Sequence, residues 1–155
     1  MNTHSQIQQS NLYEQDFYAW SVDMAAKIRN KNFDSIDIEN IAEEIEALGR
    51  SDYRELISRL EVLIAHLLKW QLQPDKRSSS WRGTIVEQRD KIDMLLTDSP
   101  SLNHKLTDQI DIEKVYKSAK NKFYKDTGLK ISKLMANNPC PYEISQILDD
   151  DFYPK

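Results

Sequence analysis

The chain has 155 residues, with 25 acidic against 21 basic side chains, a net charge of −4, and 39% hydrophobic and 30% charged residues. That is the composition of a globular chain, and its acidic balance gives no global attraction to nucleic acid. Three glycines stand where average usage would give about eleven, which argues against a many-stranded sheet. A single cysteine, Cys140, excludes an intramolecular disulfide and a Cys-based zinc site.

Residues 1–11 are polar, lack the apolar segment of a secretory leader and read as a disordered tail, leaving 12–155 as a single helical domain. From there Tyr13, Phe17, Trp20, Met24 and Ile28 recur at three- and four-residue steps, one stripe of an amphipathic helix near 14–30. Asp37 is placed to cap a second helix, with Glu39 in its first turn favoured by the positive end of the helix dipole. Its stripe is Ile38, Ile41, Ile45 and Leu48, resuming beyond Gly49 as Tyr53, Leu56, Leu60, Leu63, Leu67 and Trp70. A 3.6-residue repeat carries that stripe from 37 to 71, with a kink or break expected near Gly49, Arg50 and Ser51, where Ser51 could cap a new start.

Pro74 ends the second helix, and Ser79 or Ser80 is the expected cap of a third near 79–97, whose stripe is Trp81, Ile85, Gln88, Ile92 and Leu95. The longest apolar run, Val62 to Leu68, is interrupted by His66 and falls far short of the ~20 residues of a membrane span. A short turn holds Leu102 and Leu106. A fourth main helix near 111–127 turns Ile112, Val115, Ala119 and Phe123 inward and ends at Gly128, a left-handed cap with Leu129 as its apolar contact. A short helix near 141–149 carries Ile144, Ile147 and Leu148. Four amphipathic stripes must bury against one another, so the predicted fold is an all-α bundle. Its core is expected to hold Trp20, Ile45, Leu60, Leu63, Leu67, Ile85, Ile92 and Phe123.

With these segments in place, the chain resembles a bacterial family, abundant in cyanobacteria, known as domain of unknown function 29. The resemblance runs from Leu12 to Pro154. It rests on the segments Leu12 to Trp20, Ile41 to Gly49, Ser58 to Leu60, His66 to Trp70, Gln73-Pro74, and Ser80-Trp81 through Thr84-Ile85. Ser99 to Leu102, Thr127 to Leu129, Cys140 to Tyr142 and Phe152 to Pro154 complete it. Between Lys130 and Asn138 the chain departs from the family's usual Phe-Pro ahead of Cys-Pro. The resemblance implies an all-helical fold and brings no activity, cofactor or catalytic residue with it.

Chemistry must therefore be sought in the residues themselves. The histidines are His4, His66 and His104; none opens an HxxxH pair or follows a glutamate by three, so neither a metal nor a cofactor is expected. Glu39, Glu43, Glu44 and Glu46 occupy the flanks and back of the second helix and read as solvated or salt-bridged. Arg59 and His66, two turns apart, carry the parts of a metal-independent ribonuclease, an arginine for phosphate and a histidine for the proton, with Lys69 as a second cation. The spacing Arg59-x6-His66 is similar to the motif of HEPN-type toxin ribonucleases. The competing reading pairs Arg59 with Glu55 or Glu61 and gives His66 a structural hydrogen bond. Trp70, Arg77, Trp81 and Arg82 bracket a loop and could stack on or bind an anionic partner, or anchor helix ends.

Charge is segregated. Asp34 to Glu61 holds nine acids and three bases, whereas Lys114 to Lys133 holds seven lysines and one acid. With no nucleophile arrangement and no phosphate loop, the leading expectation is a cytoplasmic, non-enzymatic module that binds another protein or itself. Nucleic acid enters only under the ribonuclease alternative, and no membrane is expected.

Overall fold

The computed structural model describes residues 12–131 and 139–155, and the tail expected over residues 1–11 lies outside them. Among the described residues every regular element is helical. The order is α1 (Phe17–Arg29), a 3-10 turn (Phe33–Ser35), α2 (Ile38–Leu72), a second 3-10 turn (Pro74–Lys76), α3 (Ser79–Asp98), α4 (Leu102–Asp108), α5 (Ile112–Thr127) and α6 (Ile144–Leu148). No helix is long and apolar enough to cross a membrane among those residues. The all-α expectation holds.

Several ends follow from capping chemistry. Asp16 interrupts the first stripe: residues 12–15 are helical, and the Asp16 carboxylate then accepts the Ala19 N–H to start α1 three residues later than the periodicity suggests. Asp37 accepts the Asn40 N–H at the head of α2, as expected. The cap of α3 is Ser78, not Ser79 or Ser80; its hydroxyl accepts the Trp81 N–H at 3.2 Å. Asp111 caps α5, and Gly128 closes it at φ 70° in the left-handed region. Leu129, the apolar contact expected beside that glycine, is 48% exposed, and its N–H donates to the Thr127 hydroxyl.

Of the kink or break expected near Gly49, the break is absent. α2 runs unbroken from Ile38 to Leu72, with Ser51 inside it. A glycine costs a helix interior about 1 kcal/mol against alanine, less than the unsatisfied backbone groups of two new helix ends. Arg50 adds ion pairs to Glu43 at 2.7 Å and Glu46 at 3.4 Å, spanning the glycine from the other side.

The chain divides into two compact units, Met1–Ser51 and Asp52–Lys155. In the second, Leu56, Leu60, Leu63, Ile64, Leu67 and Leu68 of α2 are fully buried with Ile85 and Ile92 of α3, the α4 pair Leu102 and Leu106, and Val115, Tyr116, Ala119 and Phe123 of α5. Tyr142 and Ile147 complete this core. In the first unit the only buried large side chains among the described residues are Trp20 and Met24. The Tyr13 hydroxyl donates to Glu44, and the Tyr13, Phe17 and Trp20 rings pack edge to face or tilted. Ile45, expected in the core, is 64% exposed. Its helix turns Ile41, Glu44 and Ala47 partly inward instead.

Candidate functional site

Arg59 and His66 make different partnerships. The Arg59 guanidinium donates to Glu55 Oε1 through Nε at 2.8 Å and Nη2 at 2.6 Å, and through Nη1 to Gln88 of α3 at 3.3 Å. It lines a cleft with Asp52, Glu55, Lys91, Met94, Leu95 and Asp98, three of them acids. His66 Nδ1 lies 2.9 Å from the Val62 carbonyl of its own helix, and the charges around it are Lys69, Asp126 and Lys122. Burial is the main cause that pulls its pKa below 6.5. Arg59 is thus tied to Glu55 of its own helix and Gln88 of α3, and His66 to the Val62 carbonyl, with Asp126 and Lys122 of α5 among the charges that act on it. The two are not brought to one acceptor.

Lys69 sits beside His66 but is itself committed. It is 8% exposed, and its ammonium donates to Asp126 at 2.8 Å while lying 6.0 Å from the Trp81 ring. That bond is the largest cause holding the Asp126 carboxyl below its ordinary value.

Three of the four loop-bracketing residues, Trp70, Arg77 and Arg82, meet the C-terminal segment. Trp70 stacks on Tyr153 at 5.0 Å, and the Arg77 guanidinium lies 5.1 Å from the Trp70 ring while donating to the Trp70 carbonyl at 2.8 Å. Arg82 lies 5.0 Å from the Tyr153 ring. Trp81 is half-buried over Lys69. Sequence reasoning missed the residue that organises this cluster, Arg89. It is 3% exposed and donates to three tail carbonyls: Ile147 at 2.9 Å, Asp150 at 3.3 Å and Phe152 at 2.8 Å. Arginine is suited to this, since its fork presents five donors in fixed geometry and keeps its charge in a buried place. Its one sequence signal is position, four residues after the buried Ile85 and three before Ile92, on an inward face.

Reactive chemistry is sparse elsewhere. Burial raises the Cys140 thiol pKa, the opposite of what a nucleophilic thiol needs. Among the described residues no group of three or more His, Cys, Asp or Glu could hold a metal.

What the structure does present is an uncovered apolar line in the first unit. Seven residues is 20° short of two helical turns, and eleven is 20° beyond three. In the α2 pattern, positions 38, 45, 56 and 63 therefore share one line, on which Leu56 and Leu63 are fully buried whereas Ile38 and Ile45 are 61% and 64% exposed. Leu48, on the edge of that line, is 70% exposed. Phe17, Val22 and Phe33 of the same unit are also more than half exposed or at half. Glu44 and Glu46 lie about 100° to either side of Ile45.

No curated protein and no solved structure matches the chain. A family profile matches residues 12–153, nearly the whole chain: the protein belongs to the DUF29 family, a domain of unknown function.

Proposed function

We propose that this protein is a non-enzymatic interaction module whose docking surface is the first unit's exposed line of Ile38, Ile45 and Leu48. The carrying observation is the change of burial along α2, where one apolar line is covered at Leu56 and Leu63 and exposed at Ile38 and Ile45. Large exposed apolar patches mark binding surfaces more often than single scattered residues do. An amphipathic helix that lays i, i+3, i+4 and i+7 anchors into an apolar groove is a recurring form of recognition, and Ile38 and Ile45 stand seven residues apart with Leu48 three further on. The engagement of Lys69, Arg77 and Arg89 in internal contacts supports the same reading, because those cations already have partners.

A photo-reactive amino acid placed at position 45 in the cell of origin tests this. A discrete protein adduct is expected at 45 and none at Val86, an exposed site on α3. Equal labelling at both positions, or none at 45, overturns the reading.

The ribonuclease alternative needs Arg59 and His66 on one phosphate, whereas Arg59 is held by Glu55 and Gln88 and His66 by the Val62 carbonyl. Single-stranded RNA incubated with the protein without divalent ions is expected to stay intact. Cleavage that disappears in His66→Ala and in Arg59→Lys would reinstate that alternative.

A further inference from the structure

The second unit carries a surface of opposite character. Lys117, Lys120, Asn121 and Tyr124 of α5, with Lys130 and Ile131 beyond its end, line a cleft of about 440 Å³. Tyr124 is 47% exposed and Ile131 is packed at the edge of the core, so the cleft offers apolar surface between three ammonium groups. Lys120 lies 4.5 Å from the Tyr116 ring, which fixes its stem along the helix. The first unit, by contrast, holds nine acids and four bases, a net charge of −5, and its exposed apolar line has glutamates on both flanks.

An apolar line between acids and an apolar cleft between lysines are complementary in both polarity and charge. Resting on the interaction reading above, we infer that the occupant of the lysine cleft is a second copy of this chain, presenting Ile38, Ile45 and Leu48 of its own first unit. Pairing of two first units would instead bring net charges of −5 against each other, and like charges across an interface oppose binding. The contact is heterologous, joining different patches on the two copies. It therefore makes a prediction that a self-complementary contact does not.

The experiment is sedimentation of the full chain from about 1 to 100 μM, a range that spans micromolar affinity. A cleft variant, Lys117→Glu/Lys120→Glu/Lys130→Glu, is compared with a stripe variant, Ile38→Gln/Ile45→Gln/Leu48→Gln. Circular dichroism confirms that each keeps its helix content, and a Lys117→Gln/Lys120→Gln variant replaces the first should charge reversal unfold it. The parent is expected to associate with rising concentration, about tenfold more weakly when salt is raised from ~0.05 to ~0.5 M. Each variant alone is expected to be monomeric, and an equal mixture to form a one-to-one complex, because one intact line and one intact cleft remain. A parent that stays monomeric, a cleft variant that associates like the parent, or a mixture that stays apart each overturns the inference. If adducts to a different protein still form at position 45, the interaction reading survives that failure; if they do not, both fall.

Discussion

Arg89 shows how a single buried cation can organise a chain end. Three carbonyls from the α6 region and the tail converge on it, and the faces of Arg82 and Trp70 hold the Tyr153 ring next to it. Removing one partner of a buried charged network commonly costs about 3–5 kcal/mol, and Arg89→Ala is expected to destabilise the protein by about that much in chemical denaturation. Arg89→Lys keeps the charge but cannot reach three acceptors from one point, so it should recover less than half of the loss. Hydrogen exchange over 144–155 should rise in both variants. His66 supplies the pH dependence at the same scale. Its folded pKa lies below the unfolded value of 6.5, chiefly through burial, so on acidification the unfolded chain takes the proton first. Its contribution is full above about pH 6.5 and is lost as pH falls through the folded value. Asp126 acts in the same sense, but only below its ordinary value of 3.8. The fall in melting temperature between pH 7 and pH 5 is therefore expected to be shallower in His66→Gln than in the parent.

The elements follow from the sequence to different degrees, and the differences have physical causes. α3 and α5 were legible because each has an apolar stripe and a capping residue, with Pro74 before α3, Asp111 before α5 and Gly128 after it, whereas α4 starts without a side-chain cap. Arg59 pairs with Glu55, one of the two acids the i,i+4 and i,i+2 positions offered, whereas the one signal of the inward Arg89, its place between Ile85 and Ile92, was passed over because charged residues read as solvated. Gly49 misled in the other direction. A glycine is a good breaker only where the chain gains by stopping, and in α2 the stripe continues in phase beyond it. Its backbone is not left-handed, and a Cβ there would meet nothing within 4 Å. Gly49→Ala is accordingly expected to raise stability by about 0.4–1 kcal/mol, from lower unfolded-state entropy and better helix propensity. Differential scanning calorimetry reads this directly, and a loss of stability would mean that the helix is not regular at that point.

At the scale of the molecule, the periodicity of α2 said which side chains share a line but not what would lie on it. Ile45 and Leu56 belong to one pattern, yet Leu56 is fully buried and Ile45 is 64% exposed, and nothing local in the sequence encodes that difference. The result is two units of unequal resources. The second has a core drawn from α2 to α6, while the first rests on Trp20 and Met24, and the buried Trp20 indole N–H has no acceptor among the described residues. An unsatisfied buried donor costs about 1–3 kcal/mol, and two buried side chains offset little of the entropy of ordering such a unit. Local opening free energy should follow this inequality. Amides of α1 are expected to exchange through an inexpensive local opening, while those of α2 from Leu56 to Leu68 exchange only with global unfolding. If a second copy covers Ile38 and Ile45, binding adds to the stability of the bound unit by mass action, so protection in α1 and in residues 38–48 should rise with protein concentration and that of Leu56 to Leu68 should not. Uniform protection across both units at every concentration would mean that the first unit is self-sufficient, and that its exposed isoleucines are not waiting for a partner.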